Sequence, residues 1–287
     1  MTMVMEAEQV VAHPMVPYLA NVEQVLDLTP DMKLSSLRLL DPTAEQAFRY
    51  EVGQFALVSI FGVGEAAFDI TSLCKPGAPL EFAVRRVGTL TAAFHDLEEG
   101  SIVGVRGPFG NFFPMDQYVG KNLVIIGGGS GMAPLRSVVN YVVDPAQRDK
   151  YGQLYIIHGA RTPRDLAFAH EFETWSSSPN TRLELTVDRA EGGWQGRVAL
   201  IPDVVRELQP AAEGGVAIIC GPPIMIKFTL KVLKELGFAD RQIVSTMETK
   251  MKCGIGKCGR CNVGEKYVCL DGPVFTFEQI GQFLEEF

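Results

Sequence analysis

Four of the six cysteines lie within 17 residues near the end of the chain: Cys253, Cys258, Cys261 and Cys269. Four thiolates can enclose a tetrahedral zinc ion or hold a [2Fe–2S] cluster. An opening with four and then two residues between cysteines is the plant-type iron–sulfur spacing. Structural zinc sites more often use two separated Cys-x2-Cys pairs. The spacing therefore favours an iron–sulfur cluster, with a zinc site as the alternative.

The residues between these cysteines support the same interpretation. Gly254, Gly256 and Gly259 carry no side chain, so that backbone N–H groups can approach the sulfurs of a cluster, which a zinc ion does not require. In a reducing compartment, such a group of cysteines indicates a metal site rather than disulfides.

A glycine-rich turn follows the apolar run Leu123–Ile126. Consecutive glycines let backbone N–H groups approach a pyrophosphate, and the helix that follows favours its charge. The arrangement differs from the G-x-G-x-x-G fingerprint, and a tight turn without a ligand is the alternative. The candidate binding residues here are Gly128, Gly129, Ser130, Gly131, Met132, Ala133 and Pro134.

Two further segments carry chemistry-bearing residues. Cys220-Gly221-Pro222-Pro223-x-Met225 ends an apolar strand, and ligands of open α/β sheets bind beyond the carboxyl ends of strands. For Cys220 alone, a small buried side chain is the alternative. The segment Arg85-Arg86-Val87-Gly88-Thr89-Leu90-Thr91 has two cations and two hydroxyls that can hold a diphosphate, or it is a solvated edge.

The elements that must position these residues fall into three units. Up to about Pro114, short strand-like runs are broken by glycine and proline, which predicts an antiparallel β-barrel. From Lys121, apolar strands alternate with amphipathic stretches, among them 165–175 and 224–236, which predicts a parallel-sheet α/β domain. We therefore expect a tail at 1–15, a barrel at 16–116, an α/β domain at 117–244 and a small cluster domain at 245–287, ending in a helical stretch over 276–287.

The amino-acid composition argues against two classes of function, nucleic-acid binding and membrane insertion. The net charge is −8, whereas a protein that binds nucleic acid through its phosphates needs an excess of lysine and arginine. No apolar stretch approaches the ~20 residues that span a bilayer, and no secretory signal is visible. We expect a cytoplasmic protein with neither a nucleic-acid partner nor a membrane span.

In this order, the segments resemble the ferredoxin–NADP reductase superfamily over roughly residues 18–287. The chain looks most similar to the electron-transfer subunits that carry a C-terminal [2Fe–2S] domain. These include the gamma subunit of cytoplasmic NiFe (sulf)hydrogenases, the anaerobic sulfite reductase B subunit and the dihydroorotate dehydrogenase electron-transfer subunit. The most specific segments are 127–134, 220–225, 251–261 and 269–275.

The resemblance implies an FAD-binding barrel, an NAD(P)-binding α/β domain and a cluster domain. It implies that residues 88–91 lie at the FAD diphosphate, that 128–134 lie at the NAD(P) diphosphate, and that Cys220 lies close to the nicotinamide. The four clustered cysteines would bind the [2Fe–2S] cluster. Gly107-Pro108-Phe109-Gly110 matches the turn that closes the FAD domain.

The chain departs from the family at the flavin. The family usually has an Arg-x-Tyr/Phe-Ser element there, and the nearest match is Phe68-Asp69-Ile70-Thr71, without the arginine and with Asp69 in place of serine. A carboxylate beside a flavin disfavours its anionic reduced form. We expect Arg85 or Arg86 to supply the missing positive charge.

By resemblance, the chain is a diaphorase subunit that passes electrons between NAD(P)H and a catalytic partner, with a hydrogenase complex favoured. A sulfite reductase or a dihydroorotate dehydrogenase is an alternative partner, and the chain is alternatively a stand-alone reductase. An alternative of another class is an interaction protein without enzymatic activity, in which the cysteines bind a structural zinc ion. Asp188 favours the free 2′-hydroxyl of NAD, whereas Arg161, Arg164 and Arg189 suit the 2′-phosphate of NADP. The choice between them stays open, with NAD preferred.

Overall fold

Six antiparallel strands form the first unit in a computed structural model that describes residues 13–283. They run in the order β4-β3-β6-β1-β2-β5, and the edge strands β4 and β5 lie against each other, so the sheet closes into a barrel. This confirms the expected barrel. The strands are β1 (Tyr18–Thr29), β2 (Met32–Leu39), β3 (Phe55–Ile60), β4 (Gly64–Asp69), β5 (Leu80–Arg85) and β6 (Ile102–Phe109).

Strand β4 and two short helices were not expected from the sequence. The helices are α1 (Pro42–Ala47), which Asp41 caps by accepting from the backbone N–H of Thr43, and α2 (Thr89–His95), which places Phe94 in the barrel core. Each helix has seven residues or fewer, too few to show the 3.6-residue period on which helix prediction depends.

The second unit is a parallel sheet with helices between its strands. Its order, β10-β9-β8-β7-β11-β12, reverses at β7, which lies between β8 and β11. A reversal of this kind is where open α/β sheets bind ligands. The elements are β7 (Asn122–Gly128), α3 (Met132–Val143), β8 (Leu154–Ala160), α4 (Phe172–Ser177), β9 (Thr181–Val187), β10 (Arg197–Val198), α5 (Ile201–Leu208), β11 (Gly215–Cys220), α6 (Pro223–Glu235) and β12 (Ile243–Thr246).

The amphipathic stretch at 165–175 is interrupted rather than one continuous helix. Phe168 adopts a left-handed backbone conformation with φ of 64°, and only Phe172–Ser177 is α-helical. The Phe168 side chain is fully buried, so core packing stabilises a backbone conformation that a bulky residue otherwise avoids. By contrast, α6 ends one residue before the expected Leu236, with Gly237 at φ of 94° just beyond it.

The cluster segment is attached to both units. It contains β13 (Asn262–Val263), β14 (Lys266–Tyr267), α7 (Val268–Asp271), β15 (Val274–Thr276) and α8 (Phe277–Phe283). Strand β15 pairs antiparallel with β12 as the seventh strand of the large sheet, with Ser245 opposite Phe275. Sheet pairing thus crosses the boundary expected at 244/245, since β12 extends to Thr246.

Parts of two expectations fall outside the described residues. These are positions 1–12 of the expected tail and positions 284–287 of the expected terminal helix. The described part of that terminal stretch is helical at Phe277–Phe283. Among the helices that the structure describes, none has the length and apolar character needed to cross a membrane.

Candidate functional site

A cleft of about 610 Å³ opens between the barrel and the carboxyl edge of the parallel sheet. The barrel contributes Thr29, Asp31 and Met32 to its wall. The sequence-predicted residues that line it are Arg85, Gly128, Gly129, Ser130, Arg161, Arg164, Asp188, Arg189, Pro222 and Met225. The structure therefore brings ten of the candidate residues, from five separate segments, to one cavity.

The glycine-rich turn is packed against the end of β11. A Cβ at Gly131 would lie 2.5 Å from the carbonyl oxygen of Cys220, and one at Gly128 would lie 2.3 Å from Sδ of Met225. Gly221 has φ of 155°, and a Cβ on it would lie 3.1 Å from the backbone N and Cα of Gly128. These glycines are needed for close backbone packing, whether or not a ligand is bound.

Only part of this turn faces the cleft. Gly129, with φ of 54°, has open space beside it, and Ser130 is exposed. Met132, Ala133 and Pro134 are instead buried at the start of α3. Their side chains belong to the core, so any contact they make with a nucleotide is through the backbone at the helix N-terminus.

The far end of the cleft carries charge at the ends of β8 and β9. The backbone N–H of Asp188 donates to Ala160 at 3.0 Å, and that of Arg189 donates to Arg161 at 3.0 Å. These bonds place the two side chains next to Arg161 and near Arg164, which also lines the cleft. The arrangement offers one free carboxylate and three guanidinium groups to a ribose.

Two apolar cleft residues were missed by the sequence interpretation. Ile224 and Phe228 are 62% and 53% exposed on α6, and both line the cleft. Their spacing of four residues puts them on one helix face, and a pair of large apolar side chains on an otherwise solvated face is the signal that was available.

On the barrel side, Arg85 reaches the cleft but is already paired. Its Nε donates to Asp31 at 2.6 Å, and this bond lowers the pKa of the Asp31 carboxyl although burial raises it. Arg86, Gly88 and Thr89 are exposed on the adjoining turn, outside the cleft wall. A side chain at Gly88 would meet no atom within 4 Å, so the turn leaves room for a phosphate beside two cations.

Three of the predicted flavin contacts, Ile70, Thr71 and Thr91, pack or hydrogen-bond within the barrel unit. The Thr91 hydroxyl accepts from the backbone N–H of Val87 and of Gly88, which fixes the turn. Ile70 is 1% exposed in the barrel core. The buried Thr71 hydroxyl donates to the carbonyl oxygen of Glu81 at 3.0 Å. These side chains stabilise the barrel and its turn, and their contact with a flavin stays a prediction.

Phe68 and Asp69, at the end of β4, are both half-buried. The Phe68 ring packs against Phe94 with centroids 5.4 Å apart. Burial of the Asp69 carboxyl, with added repulsion from Glu248, raises its pKa to about 7. Near neutral pH this carboxyl can therefore carry a proton, which removes the negative charge that the departure from the family pattern introduced.

Cys220 lies between the units. Thr246 donates from its hydroxyl to Sγ of Cys220 at 3.1 Å. Burial raises the pKa of the thiol to about 12, and the charges of Glu248 and Asp69 act in the same direction. The side chain is a neutral thiol rather than a nucleophilic thiolate. Glu248, in the segment after β12, was not a sequence candidate, because no local pattern marks it.

Cys253, Cys258 and Cys261 lie in one loop against the barrel, and Cys269 lies in α7. Three backbone N–H groups, of Ile255, Lys257 and Cys258, point at Sγ of Cys253 from 3.2–3.5 Å. Burial raises the pKa of this thiol, but these bonds outweigh it and lower the pKa to about 7. The backbone of the loop thus stabilises a thiolate at Cys253.

The same loop also contacts the sulfur of Cys269. Gly256 donates its N–H to Sγ of Cys269 at 3.1 Å, and Gly254, Gly256 and Gly259 all have φ between 68° and 75°. Burial, and then the neighbouring Cys261 thiol, raise the pKa of Cys269 to about 12. Cys258 is exposed, whereas the other three cysteines are buried.

Within the described residues, no three His, Cys, Asp or Glu side chains already form a site for a metal ion. The evidence that the loop fits an iron–sulfur cluster is instead the set of backbone N–H groups that donate to the cysteine sulfurs. Backbone N–H groups directed at sulfur are suited to the negative charge of thiolates and sulfides. A zinc ion needs four thiolates but no such set of amides, so the loop fits a cluster better than it fits zinc.

Arg106 connects the barrel to the cluster loop. This residue is 3% exposed, and its guanidinium donates to both carboxylate oxygens of Glu65, at 2.8 and 2.6 Å. It also donates to the carbonyl oxygens of Lys252 and Cys253 at 3.1 and 3.0 Å. A buried bidentate ion pair therefore fixes the backbone of the first cluster cysteine.

Arg136 connects the barrel to the α/β domain in the same way. Its guanidinium donates to Glu81, in β5, at 2.7 Å and to Glu171 at 2.6 Å, and it lies over the ring of Phe168. Burial lowers the pKa of this guanidinium, but the two carboxylates outweigh it and raise the pKa. This group of side chains therefore links the barrel to the α/β domain.

Comparison with known protein families identifies two domains. Residues 125–231 match the family model described as "Oxidoreductase NAD-binding domain". Residues 248–281 match "Iron-sulfur cluster binding domain of dihydroorotate dehydrogenase B". The first match covers the glycine-rich turn and Cys220, and the second covers all four clustered cysteines.

Relatives are similar over nearly their whole length. Sulfhydrogenase 2 subunit gamma of Pyrococcus furiosus is 38% identical, over 92% of this chain and 96% of that protein. A probable dihydroorotate dehydrogenase B (NAD(+)) electron transfer subunit of Methanocaldococcus jannaschii is 32% identical, over 94% of this chain and 93% of that protein.

Solved structures show the same architecture. The NADH-dependent reduced ferredoxin–NADP oxidoreductase has a TM-score of 0.72 at 22% identity, over 93% of this chain and 91% of that chain. The cytochrome P450 reductase of Amycolatopsis has a TM-score of 0.67 at 26% identity, over 79% of this chain and 68% of that chain. The first likeness concerns the fold alone.

Proposed function

Because the chain belongs to the electron-transfer subunits of the ferredoxin–NADP reductase superfamily, we propose that it carries electrons between NAD(P)H and a catalytic partner subunit. The proposal rests on one observation: the barrel, the parallel sheet and the cluster segment come together around Cys220. Asp69 of the barrel and Glu248 of the cluster segment both act electrostatically on Cys220 of the parallel sheet. A nicotinamide, a flavin and a cluster must come close together for this reaction.

Each group has residues suited to hold it. The backbone at Gly129 and Ser130, with the start of α3, suits the nucleotide diphosphate, and Cys220 suits the nicotinamide. Arg85, Arg86 and the open turn at Gly88 suit the FAD diphosphate. The [2Fe–2S] cluster would be held by Cys253, Cys258, Cys261 and Cys269. When bound, FAD accepts a hydride from the reduced nicotinamide, and the cluster takes up electrons one at a time.

The chain's own residues position these groups and control charge. Thr246 orients the Cys220 thiol, whose raised pKa keeps it uncharged beside the nucleotide. Asp69 holds or releases a proton near neutral pH. In its protonated form it is neutral and does not repel a negative charge that develops on a neighbouring group. Arg106 and Arg136 fix the distances between the three units.

The partner that the similarity favours is of the hydrogenase type, since the sulfhydrogenase gamma subunit is more similar than the dihydroorotate dehydrogenase subunit, 38% against 32%. The second candidate is a dihydroorotate dehydrogenase. The match of residues 248–281 to the iron–sulfur domain of that enzyme supports it.

Anaerobic isolation of the tagged chain from its own cells, with subunit identification and with metals and flavins counted, tests the proposal. A nickel subunit supports the hydrogenase type, a subunit with FMN the dihydroorotate dehydrogenase type, and siroheme the sulfite reductase type. The chain alone with FAD and iron indicates a stand-alone reductase. Zinc without flavin overturns the proposal.

A matched pair of cysteine variants separates cluster binding from general damage. We expect Cys269→Ser to lose most of its iron and the visible absorption that accompanies it. Cys74→Ser should retain both, because Cys74 lies on the barrel away from the cluster loop. Equal iron contents in the two variants would contradict the assignment of the four ligands.

A further inference from the structure

The cluster loop is exposed at one side only. Cys258 is the exposed member of the four cysteines, and Gly259 and Arg260 beside it are exposed as well. Cys253, Cys261 and Cys269 are 6%, 2% and 1% exposed, against the barrel residues Phe55 and Phe109 or within the loop. An electron that leaves the loop for another protein has its shortest route through the side at Cys258.

The chain segment around this exposed cysteine carries a charge opposite to that of the whole chain. Residues 250–260 contain four basic side chains and no acidic one, in a protein of net charge −8. All four of these side chains are exposed: Lys250, Lys252, Lys257 and Arg260. We name these four residues, together with Cys258, the basic rim.

Two exposed carboxyl side chains, Glu248 and Glu265, flank the rim in sequence, and the neighbouring Lys266 is paired. Lys266 lies 3.7 Å from Asp271, and the Asp271 carboxylate also accepts from the backbone N–H of Tyr267 at 2.8 Å. Leu270, which is 55% exposed, lies against Gly256 and adds an apolar contact area beside the rim. The surface therefore combines basic side chains with an exposed apolar one, a mixture that protein interfaces also use.

The charges of the rim are not needed to hold the sulfurs. Backbone N–H groups within the loop are directed at Sγ of Cys253 and Cys269, and the buried Arg106 fixes the Cys253 carbonyl. Exposed lysine side chains surrounded by water contribute little to such a site. Their concentration in the segment that holds Cys253 and Cys258 calls for another explanation, and charge complementarity with a partner supplies one.

We infer that the basic rim is the docking surface for a redox protein that presents carboxylates around its own redox centre. This inference rests on the proposed function and adds to it the chemistry of the partner. One electron leaves the chain for each molecule of a one-electron acceptor reduced. Two acceptor molecules are reduced for each NADH oxidised to NAD⁺ and a proton, and no bond to the partner forms.

The test uses the full chain loaded with its cofactors and two probe acceptors of opposite charge. These are a plant-type [2Fe–2S] ferredoxin, which is acidic, and cytochrome c, which is basic. At low salt, we expect faster reduction of the ferredoxin and a rate that falls steeply with ionic strength. Lys257→Glu with Arg260→Glu should slow ferredoxin reduction about 10-fold, flatten its salt dependence and speed cytochrome c reduction.

The matched control is Lys231→Glu with Arg241→Glu, two exposed cations of the α/β domain. It makes the same change in net charge away from the rim and should leave both rates within about twofold of wild type. If the rim pair loses iron, Lys250→Glu, further from the cysteines in sequence, provides the same comparison with a smaller expected effect of about threefold.

The outcomes are distinguishable. NADH is first added without an acceptor, and reduction of the cluster is followed by electron paramagnetic resonance. Absence of this signal in the wild type counts against the proposed function. A normal signal, with ferredoxin rates equal in the rim and control variants, overturns only the docking inference. A second outcome also overturns the docking inference. If the wild type sediments with phosphatidylglycerol vesicles at 150 mM salt, the rim variant does not, and the ferredoxin rates are equal, then the surface binds lipid.

Discussion

Arg106 in the barrel donates a hydrogen bond to the carbonyl oxygen of Cys253, 147 positions further along the chain, at 3.0 Å. The same guanidinium is paired with Glu65 and is almost fully buried. The backbone of a cluster cysteine is thus held by an ion pair that belongs to another unit. The first prediction follows from this contact.

We expect Arg106→Met to destabilise the protein by about 3–5 kcal/mol, because it leaves the Glu65 charge without a partner. It should also release iron several-fold faster to a chelator, because the Cys253 carbonyl loses its donor. Urea unfolding and the rate of iron release check the two effects. Arg182→Met, which removes an arginine 51% exposed beside Glu184, is the control and should cost less than about 1 kcal/mol.

Asp69 should make stability depend on pH. Its pKa is raised to about 7 in the folded chain, so the native state holds this proton more tightly than the unfolded state does between pH 4 and 7. The contribution of Asp69 to stability is therefore present at low pH and falls as pH rises through this range.

Asp69→Asn stays neutral, so its gain in the free energy of unfolding over wild type should grow from pH 5 to pH 8. Urea midpoints at the two pH values measure it. Asp96→Asn, at an exposed carboxyl, is the control. A difference between Asp69→Asn and wild type that does not change with pH would show that Asp69 is ionised throughout.

Asp188 should decide between the two nucleotides. Its carboxylate, at the end of β9 in the cleft, suits the free 2′-hydroxyl of NADH and opposes a 2′-phosphate. We expect Asp188→Ala to raise KM for NADH about 10-fold, since a hydrogen bond to a charged group contributes about 1.5–3 kcal/mol, and to lower KM for NADPH. Steady-state kinetics with both nucleotides measure this. An unchanged ratio of the two KM values would remove Asp188 from the ribose site.

Gly131 should not tolerate a side chain. A Cβ there would lie 2.5 Å from the carbonyl oxygen of Cys220 and 2.6 Å from Cα of Gly221, so the start of α3 and the end of β11 must separate. We expect Gly131→Ala to cost about 1–3 kcal/mol and to weaken NADH binding. Gly281→Ala, which meets no atom within 4 Å in α8, should be neutral or slightly stabilising. Thermal unfolding and nucleotide titration of both variants provide the comparison.

The parts of the site that were predictable from the sequence are those that short segments determine. The spacing of Cys253, Cys258 and Cys261 and the glycines around Gly129 are local signals, and the barrel and the parallel sheet follow from strand patterns. Arg106 and Glu248 could not be found in this way, because their partners lie in distant segments and their surroundings in the sequence are unremarkable.

Hydroxyl groups were the least predictable. Thr91 beside Gly88 suggests a phosphate site, yet its hydroxyl is bonded to its own turn. Thr71 likewise bonds to Glu81 inside the barrel. A threonine next to a glycine has the same sequence pattern whether it binds a ligand or the backbone, and only the fold separates the two cases.

The pairing of β15 with β12 bears on how this protein can be divided. The cluster segment supplies the last strand of the nucleotide-binding sheet, with Val244 opposite Thr276 and Thr246 opposite Val274. A chain cut after Thr246 would leave β12 as an uncovered sheet edge, which invites pairing with other molecules. The iron–sulfur segment therefore also covers the edge of the nucleotide-binding sheet. It cannot be exchanged between reductases as an independent domain.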